Sequence, residues 1–144
     1  MMESDFFKTT GFQSAGFLNL TPREAYKEAK ENNAIIVDVR EEGLIGYKSF
    51  DVPNVIYAPN SQLKKYYSRL PKDKPLILAD AAGLHSREAM QFLLSKGFTN
   101  IANLAGGLVE WDRDEMPLKI DQGEALSGAC VCRLRPRKSF NKKK

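Results

Sequence analysis

The chain has 144 residues, of which 42% are hydrophobic and 28% are charged, and it carries a formal net charge of +4. This composition is typical of one globular domain that can bury a core without cross-links. The chain has no run of about 20 apolar residues, which a membrane-spanning helix needs, and no segment with the character of a signal peptide. We therefore expect a cytoplasmic protein without membrane contact.

The positive charge is concentrated at the end of the chain. Residues 1–116 contain 14 Lys and Arg and 16 Asp and Glu, whereas residues 117–144 contain 8 and 2. Because the larger part is slightly acidic, we expect no nucleic-acid binding apart from nonspecific contacts of the basic tail.

Predicted helices and strands alternate along the chain. Thr21 is a good cap for the first helix, with Pro22 at its first position and Glu24 completing a capping box. The run 34–39 is β-branched and apolar throughout, which is typical of a buried parallel strand. Further strands are predicted over 55–58, 75–79 and 100–104. A helix through Leu70 is predicted with Asn60 or Ser61 as its cap, and further helices from about Ser86 to Lys96 and over 108–114. This alternation predicts an α/β fold with a mainly parallel sheet flanked by helices.

The regular pattern covers only part of the chain. Residues 1–17 are expected to form an extended lead-in, and residues 18–118 a single domain. Beyond Pro117 the sequence has no helical or strand period, so residues 119–144 are predicted to be a basic tail that contains a Cys-x-Cys pair.

Polar residues follow two of the predicted strands. Asp38 and Arg40 end the first strand, and the segment 80–87 follows the third. Ligands of open parallel sheets bind beyond the carboxyl ends of the strands, so these residues form the candidate site. Asp38 and Arg40 are interpreted first as a structural ion pair that supports the site.

Several segments of the sequence resemble the rhodanese-like domain, a sulfurtransferase fold that related phosphatases also use. They are LTPREA, IIVDVRE, VPNVIYAP and LILADAAGLHSREAMQFLLSKGFTNIANLAGGLVEW, and together they extend over about residues 18 to 118. The resemblance implies a three-layer domain in which a central, mainly parallel sheet is flanked by helices.

The resemblance fails at the residues that carry the family's chemistry. The position of the catalytic cysteine falls on Asp80 and that of the anion-binding arginine on His85, whereas Gly83 and Ser86 keep the family's residue types. Phe50-Asp51 replaces a glycine-histidine pair. A carboxylate cannot form the persulfide that sulfur transfer requires, so the loop is predicted to be inactive. The loop comprises Asp80, Ala81, Ala82, Gly83, Leu84, His85 and Ser86.

Asp80 has a structural interpretation and two functional ones. An acid before a helix accepts backbone N–H groups and stabilises the helix. It could instead be a phosphoryl-accepting nucleophile or a metal ligand beside Asp38. A Ser-His-Asp triad is rejected, because the adjacent residues His85 and Ser86 diverge on a helix.

The tail offers a second source of sulfur chemistry. Cys130 and Cys132 precede Arg133 and Arg135, whose charges favour the thiolate form. With one histidine in the chain, a complete tetrahedral zinc site would need a second chain, and we expect no metal and no cofactor.

The leading hypothesis is a catalytically inactive module that binds or regulates, holding a small anion or a segment of a protein partner at the loop. The alternative is a sulfur carrier, or a thiosulfate or persulfide sulfurtransferase, that uses Cys130 or Cys132. The identity of the partner and the oligomeric state are left open.

Overall fold

The computed structural model describes residues 6–14, 16–40, 48–82, 85–120 and 129–130. In this part the chain forms four α-helices and nine short strands. The helices are α1 (Pro22–Glu31), α2 (Asn60–Tyr66), α3 (His85–Ser95) and α4 (Gly107–Arg113), and a 3₁₀ turn (Tyr67–Arg69) follows α2. The strands are β1 (Phe12–Ser14), β2 (Phe17–Leu20), β3 (Ile35–Asp38), β4 (Lys48–Phe50), β5 (Val55–Tyr57), β6 (Leu76–Ala79), β7 (Ile101–Leu104), β8 (Leu118–Ile120) and β9 (Ala129–Cys130).

Seven of these strands form one sheet in the order β1-β2-β7-β6-β3-β5-β9. β1 pairs with β2 in the antiparallel sense, and all other pairs in this sheet are parallel. β4 and β8 form a separate antiparallel pair. The predicted α/β fold with a mainly parallel sheet is confirmed, and the carboxyl ends of β3 and β6 lie side by side.

The core lies on both faces of the sheet. Ile36 and Ile77 belong to a cluster on the face covered by α1 and α4, whereas Val37 and Leu78 belong to the cluster under α2 and α3. Because successive side chains point to opposite faces, a central strand in such a sheet must be apolar at every position. This explains the unbroken apolar run at 34–37.

The first two helices, α1 and α2, differ in how they begin. At α1, the Thr21 hydroxyl accepts the Glu24 N–H (3.2 Å) and the Glu24 carboxylate accepts the Thr21 N–H (2.9 Å), so the predicted capping box is confirmed. At α2, Pro59 occupies the cap position and no side chain caps the helix. The predicted cap by Asn60 or Ser61 is wrong, because both residues lie inside the first turn.

Five strands, β1, β2, β4, β8 and β9, were not predicted. The expectation that strand structure ends at Pro117 is wrong, because β8 pairs with β4 and β9 pairs with β5. These strands have two to four residues each, and so short a run carries too little alternation to be recognised. The boundaries proposed at residues 17 and 118 stay predictions.

None of the helices in the part of the chain that the structure describes has the length and apolar character needed to cross a bilayer.

Candidate functional site

The candidate loop leaves β6 at Asp80 and enters α3 at His85. Gly83 and Leu84, which were predicted to belong to it, lie outside the described residues. Ala81 and Ala82 are exposed, whereas only 3% of Asp80 is accessible to solvent. The loop therefore presents small apolar residues to solvent and keeps its one acid inside.

The carboxylate of Asp80 is directed at the start of α3. One of its oxygens, Oδ2, accepts the backbone N–H of His85 (2.5 Å) and that of Ser86 (3.1 Å). A negative charge at this position also interacts favourably with the helix dipole. The contacts are those that the helix-capping interpretation of Asp80 predicts, and they occupy N–H groups that could otherwise hold an external anion.

The backbone of the loop is held by α4. The Leu108 N–H donates to the Asp80 carbonyl (2.8 Å) and the Val109 N–H donates to the Ala81 carbonyl (2.9 Å). Gly107, with φ of +62°, approaches so closely that an added Cβ would lie 2.4 Å from the Asp80 carbonyl oxygen. The role of Gly107 was not predicted, since a glycine pair in a sequence indicates a turn but does not reveal which part of the chain it approaches.

Asp38 and Arg40 form the predicted ion pair, and both are buried. Arg40 donates to the Asp38 carboxylate from Nη2 (2.7 Å) and Nε (3.0 Å), and from Nη2 to the Lys48 carbonyl (3.0 Å). Burial raises the pKa of Asp38 above its usual value of 3.8, the contacts with Arg40 lower it, and the charge of Asp80 adds to the increase. Two nitrogens of the Arg40 guanidinium, Nε and Nη2, are therefore engaged by Asp38.

Ser86 belongs to a buried chain of hydrogen bonds. Its hydroxyl donates to Asn103 Oδ1 (2.5 Å), Asn103 Nδ2 donates to Asn19 Oδ1 (2.8 Å), and Asn19 Nδ2 donates to the Phe17 carbonyl (3.0 Å). The chain joins the start of α3 to β7 and β2. Asn19 and Asn103 were not predicted, because a polar residue in a short strand becomes informative only when its partner is known.

The remaining polar residues of the segment face solvent. His85 and Arg87 are exposed, whereas Ser86 between them is fully buried. The side chains of His85 and Ser86 therefore diverge, as the rejection of a catalytic triad predicts. Among the described residues, no three of His, Cys, Asp and Glu lie close enough together to hold a metal ion.

The tail returns to the sheet at β9. Cys130 of β9 is in register with Tyr57 of β5. Tyr57 is in turn in register with Asp38 of β3, and Asp38 with Ala79 of β6. Neighbouring strands lie about 4.8 Å apart, so the Cα atoms of Cys130 and Asp38 are separated by about 10 Å. Cys130 thus lies at the same edge of the sheet as the candidate loop, and Cys132 lies outside the described residues.

The sequence profile of the rhodanese-like domain family matches residues 21–114 of this chain. The chain belongs to the rhodanese-like domain family. A thiosulfate sulfurtransferase GlpE from Glaesserella parasuis is 25% identical over 104 residues, which make up 72% of this chain and 94% of that protein. A GlpE from Haemophilus influenzae is 28% identical over 102 residues, or 71% and 94% of the two chains.

Solved structures of other proteins share this fold. A rhodanese-related protein from Thermoplasma volcanium is 27% identical, with a TM-score of 0.63 over 69% of this chain and 95% of the other. A polysulfide-sulfur transferase homodimer from Wolinella succinogenes is 23% identical, with a TM-score of 0.64 over 77% and 84% of the two chains. This rhodanese-like domain is thus a homologue of the GlpE sulfurtransferases. In this chain the loop begins with an aspartate that caps α3.

Proposed function

We propose that this rhodanese-like domain performs no sulfur transfer at its loop and acts instead by binding, as a regulatory or adaptor module. The observation that carries the proposal is the pair of N–H groups at the start of α3, which both donate to the Asp80 carboxylate. Two cysteines among 144 residues also fit a cytoplasmic protein, whose thiols would stay reduced.

The chemistry of the loop supports this proposal. Sulfur transfer requires a polarizable thiolate that can form and release a sulfur–sulfur bond, and the oxygen of Asp80 cannot do so. The buried negative charge also repels an anionic donor such as thiosulfate. A small anion would have to displace Asp80 from its N–H groups, so a segment of a protein partner is the favoured ligand of the loop.

An assay of sulfur transfer from thiosulfate to cyanide tests the proposal. The full chain and its Cys130→Ser/Cys132→Ser variant should both show no turnover above background, with a GlpE sulfurtransferase as the positive control. Turnover that persists in the variant without cysteines would contradict the proposal, because the loop itself would then be active.

The position of β9 favours a second candidate function, a sulfur carrier or sulfurtransferase that uses the tail. The pairing of Cys130 with Tyr57 places this residue at the edge of the sheet that carries the loop. The Cys130 thiolate would attack the outer sulfur of thiosulfate, the sulfur–sulfur bond would break, and sulfite would leave with the bonding electrons. The product is a Cys130 persulfide.

Mass spectrometry distinguishes the two candidates. After incubation with thiosulfate, the carrier function predicts a gain of about 32 Da on the tail peptide, which is one sulfur atom, and its removal by cyanide as thiocyanate. A tail peptide that stays unlabelled contradicts the carrier function, and the binding function is then retained.

A further inference from the structure

The two helical layers of this domain carry different charge. Residues 60–75, which include α2 and the turn after it, contain five Lys and Arg and one Asp, and Lys96 follows α3 on the same side of the sheet. On the other side, residues 107–115 contain four acids and one Arg. The slightly acidic average of residues 1–116 therefore conceals a strongly basic face.

The cations of this face are ordered on aromatic rings. The Arg69 guanidinium lies 4.5 Å from the centre of the Tyr66 ring, and Lys65 Nζ lies 5.5 Å from the same ring. Lys96 Nζ lies 5.4 Å from the Tyr67 ring. The quadrupole of each ring attracts these cations. We call the group the basic–aromatic surface; it consists of Lys65, Tyr66, Tyr67, Arg69, Lys72, Phe92 and Lys96.

Two further contacts make this surface continuous between α2 and α3. Tyr67 and Phe92 meet edge to face, with 5.3 Å between the ring centres, and Lys96 Nζ lies 5.6 Å from Phe92. Lys72 Nζ donates to the Lys96 carbonyl (3.3 Å), where the negative end of the α3 dipole favours a cation. The three lysines are exposed and the rings are half-buried.

No carboxylate among the described residues forms an ion pair with the three lysines of this surface. Within the described ranges, the ion pairs are Arg40–Asp38, Lys48–Asp112 and Arg113–Glu110, and none of them includes Lys65, Lys72 or Lys96. Gathering like charges without a counterion costs free energy through their mutual repulsion. An external anionic group would remove that cost and would meet cations that the fold has already gathered on one surface.

We propose that the basic–aromatic surface binds an acidic segment of a partner polypeptide. The cations cover faces of the rings, so these faces are not available for the base stacking by which single-stranded nucleic acids bind. Carboxylates can meet the ammonium groups while apolar side chains of the same segment contact the ring edges. The acidic remainder of the domain repels a long polyanion, whereas a short segment contacts only the basic face. This site is separate from the loop and does not depend on the function proposed for it.

Fluorescence anisotropy with a defined probe tests this proposal. The probe is a labelled peptide of about twelve residues that repeats Glu-Glu-Ala-Leu, a pattern of acidic and apolar side chains. The full-length variant K65E/K72E/K96E is compared with R23E/K27E/K30E, which reverses three exposed charges on α1. Both variants keep the basic tail, so any binding by the tail is the same in both.

The first variant should bind the probe about tenfold more weakly than the wild type at low salt, because each exposed ion pair contributes only a small part of the affinity. The α1 variant should bind about as well as the wild type. If K65E/K72E/K96E does not fold, judged by circular dichroism, the neutral variant K65Q/K72Q/K96Q replaces it, with a smaller loss in the same direction. Carbodiimide cross-linking of the probe should modify Lys65, Lys72 or Lys96.

Any of three outcomes with the peptide probe would overturn the proposal. They are equal losses in the two charge-reversal variants, no binding of the probe at low salt, and cross-links confined to the tail lysines. A labelled single-stranded DNA that loses affinity in K65E/K72E/K96E, while the peptide does not, would also overturn it and assign the surface to nucleic acid instead.

Discussion

Asp38 ends β3 in register with the residue that precedes Asp80, so that two buried acids stand at the ends of neighbouring parallel strands. Burial is the main reason why the pKa of Asp38 lies above 3.8, Arg40 opposes the increase, and the negative charge of Asp80 adds to it. The charge of Asp80, which caps α3, therefore acts on the buried Asp38–Arg40 ion pair.

Asp38 should make the stability of the domain depend on pH. With its folded-state pKa above 3.8, the folded protein binds more protons than the unfolded chain in the window just above that value. The stability that Asp38 contributes is therefore fully present below pH 3.8 and is lost as the pH rises through the folded-state pKa.

Urea unfolding of the wild type and of Asp38→Asn between about pH 4 and pH 7 measures this effect. The free energy of unfolding of the wild type, relative to the variant, should fall as the pH rises. A difference that grows with pH would mean that Arg40 dominates and lowers the pKa of Asp38. NMR titration of the Asp38 carboxyl in Asp80→Asn should show a lower pKa than in the wild type.

Asp80→Ala should reduce the free energy of unfolding by about 1 kcal/mol, because two backbone N–H groups lose their acceptor. Asp80→Asn should cost less, since the amide oxygen can still accept one of them. Asp73→Ala, at an exposed acid in the turn before β6, is the control and should be close to neutral. Calorimetry should show tighter binding of sulfate to Asp80→Ala than to the wild type. An alanine variant more stable than the wild type would indicate a strained carboxylate.

Gly107→Ala should displace the loop. The added Cβ would lie 2.4 Å from the Asp80 carbonyl oxygen and 2.7 Å from Ala81, and the backbone is in the left-handed region. Gly16 is a matched control, because its φ is +88° and nothing lies within 4 Å of its added Cβ. Gly16→Ala should cost about 1 kcal/mol for the conformation alone, and Gly107→Ala clearly more in the same urea titration. Equal costs would mean that the loop yields without resistance.

Asp80→Cys with His85→Arg should introduce sulfur transfer from thiosulfate to cyanide. The new thiolate would take over the N–H groups of His85 and Ser86, which favour a negative charge, and the arginine would supply a cation for the donor. Asp80→Cys alone should be much less active. Both are made in the Cys130→Ser/Cys132→Ser background, so that tail thiols do not contribute. If the single change were as active as the double change, the cation would have no role.

The sequence alone was sufficient to predict the α/β fold, the side-chain cap of α1 and the ion pair between Asp38 and Arg40. These features depend on residues close together in the chain: an apolar run for β3, a Thr-x-x-Glu box at Thr21, and opposite charges two positions apart. Local physical chemistry determines them before any distant part of the chain is in place. The absence of cysteine at position 80 was likewise visible directly in the sequence.

Tertiary structure decided what depends on distant partners. Asn103 and Asn19 form their buried hydrogen bond only because β2 and β7 pair. β9 was recognisable only from its pairing with β5. Gly107 became part of the site because α4 packs against the loop. The basic face could not be predicted from the net charge for the same reason. Net charge is a sum over the whole chain, whereas the electrostatic field at a surface depends on which side chains the fold brings together.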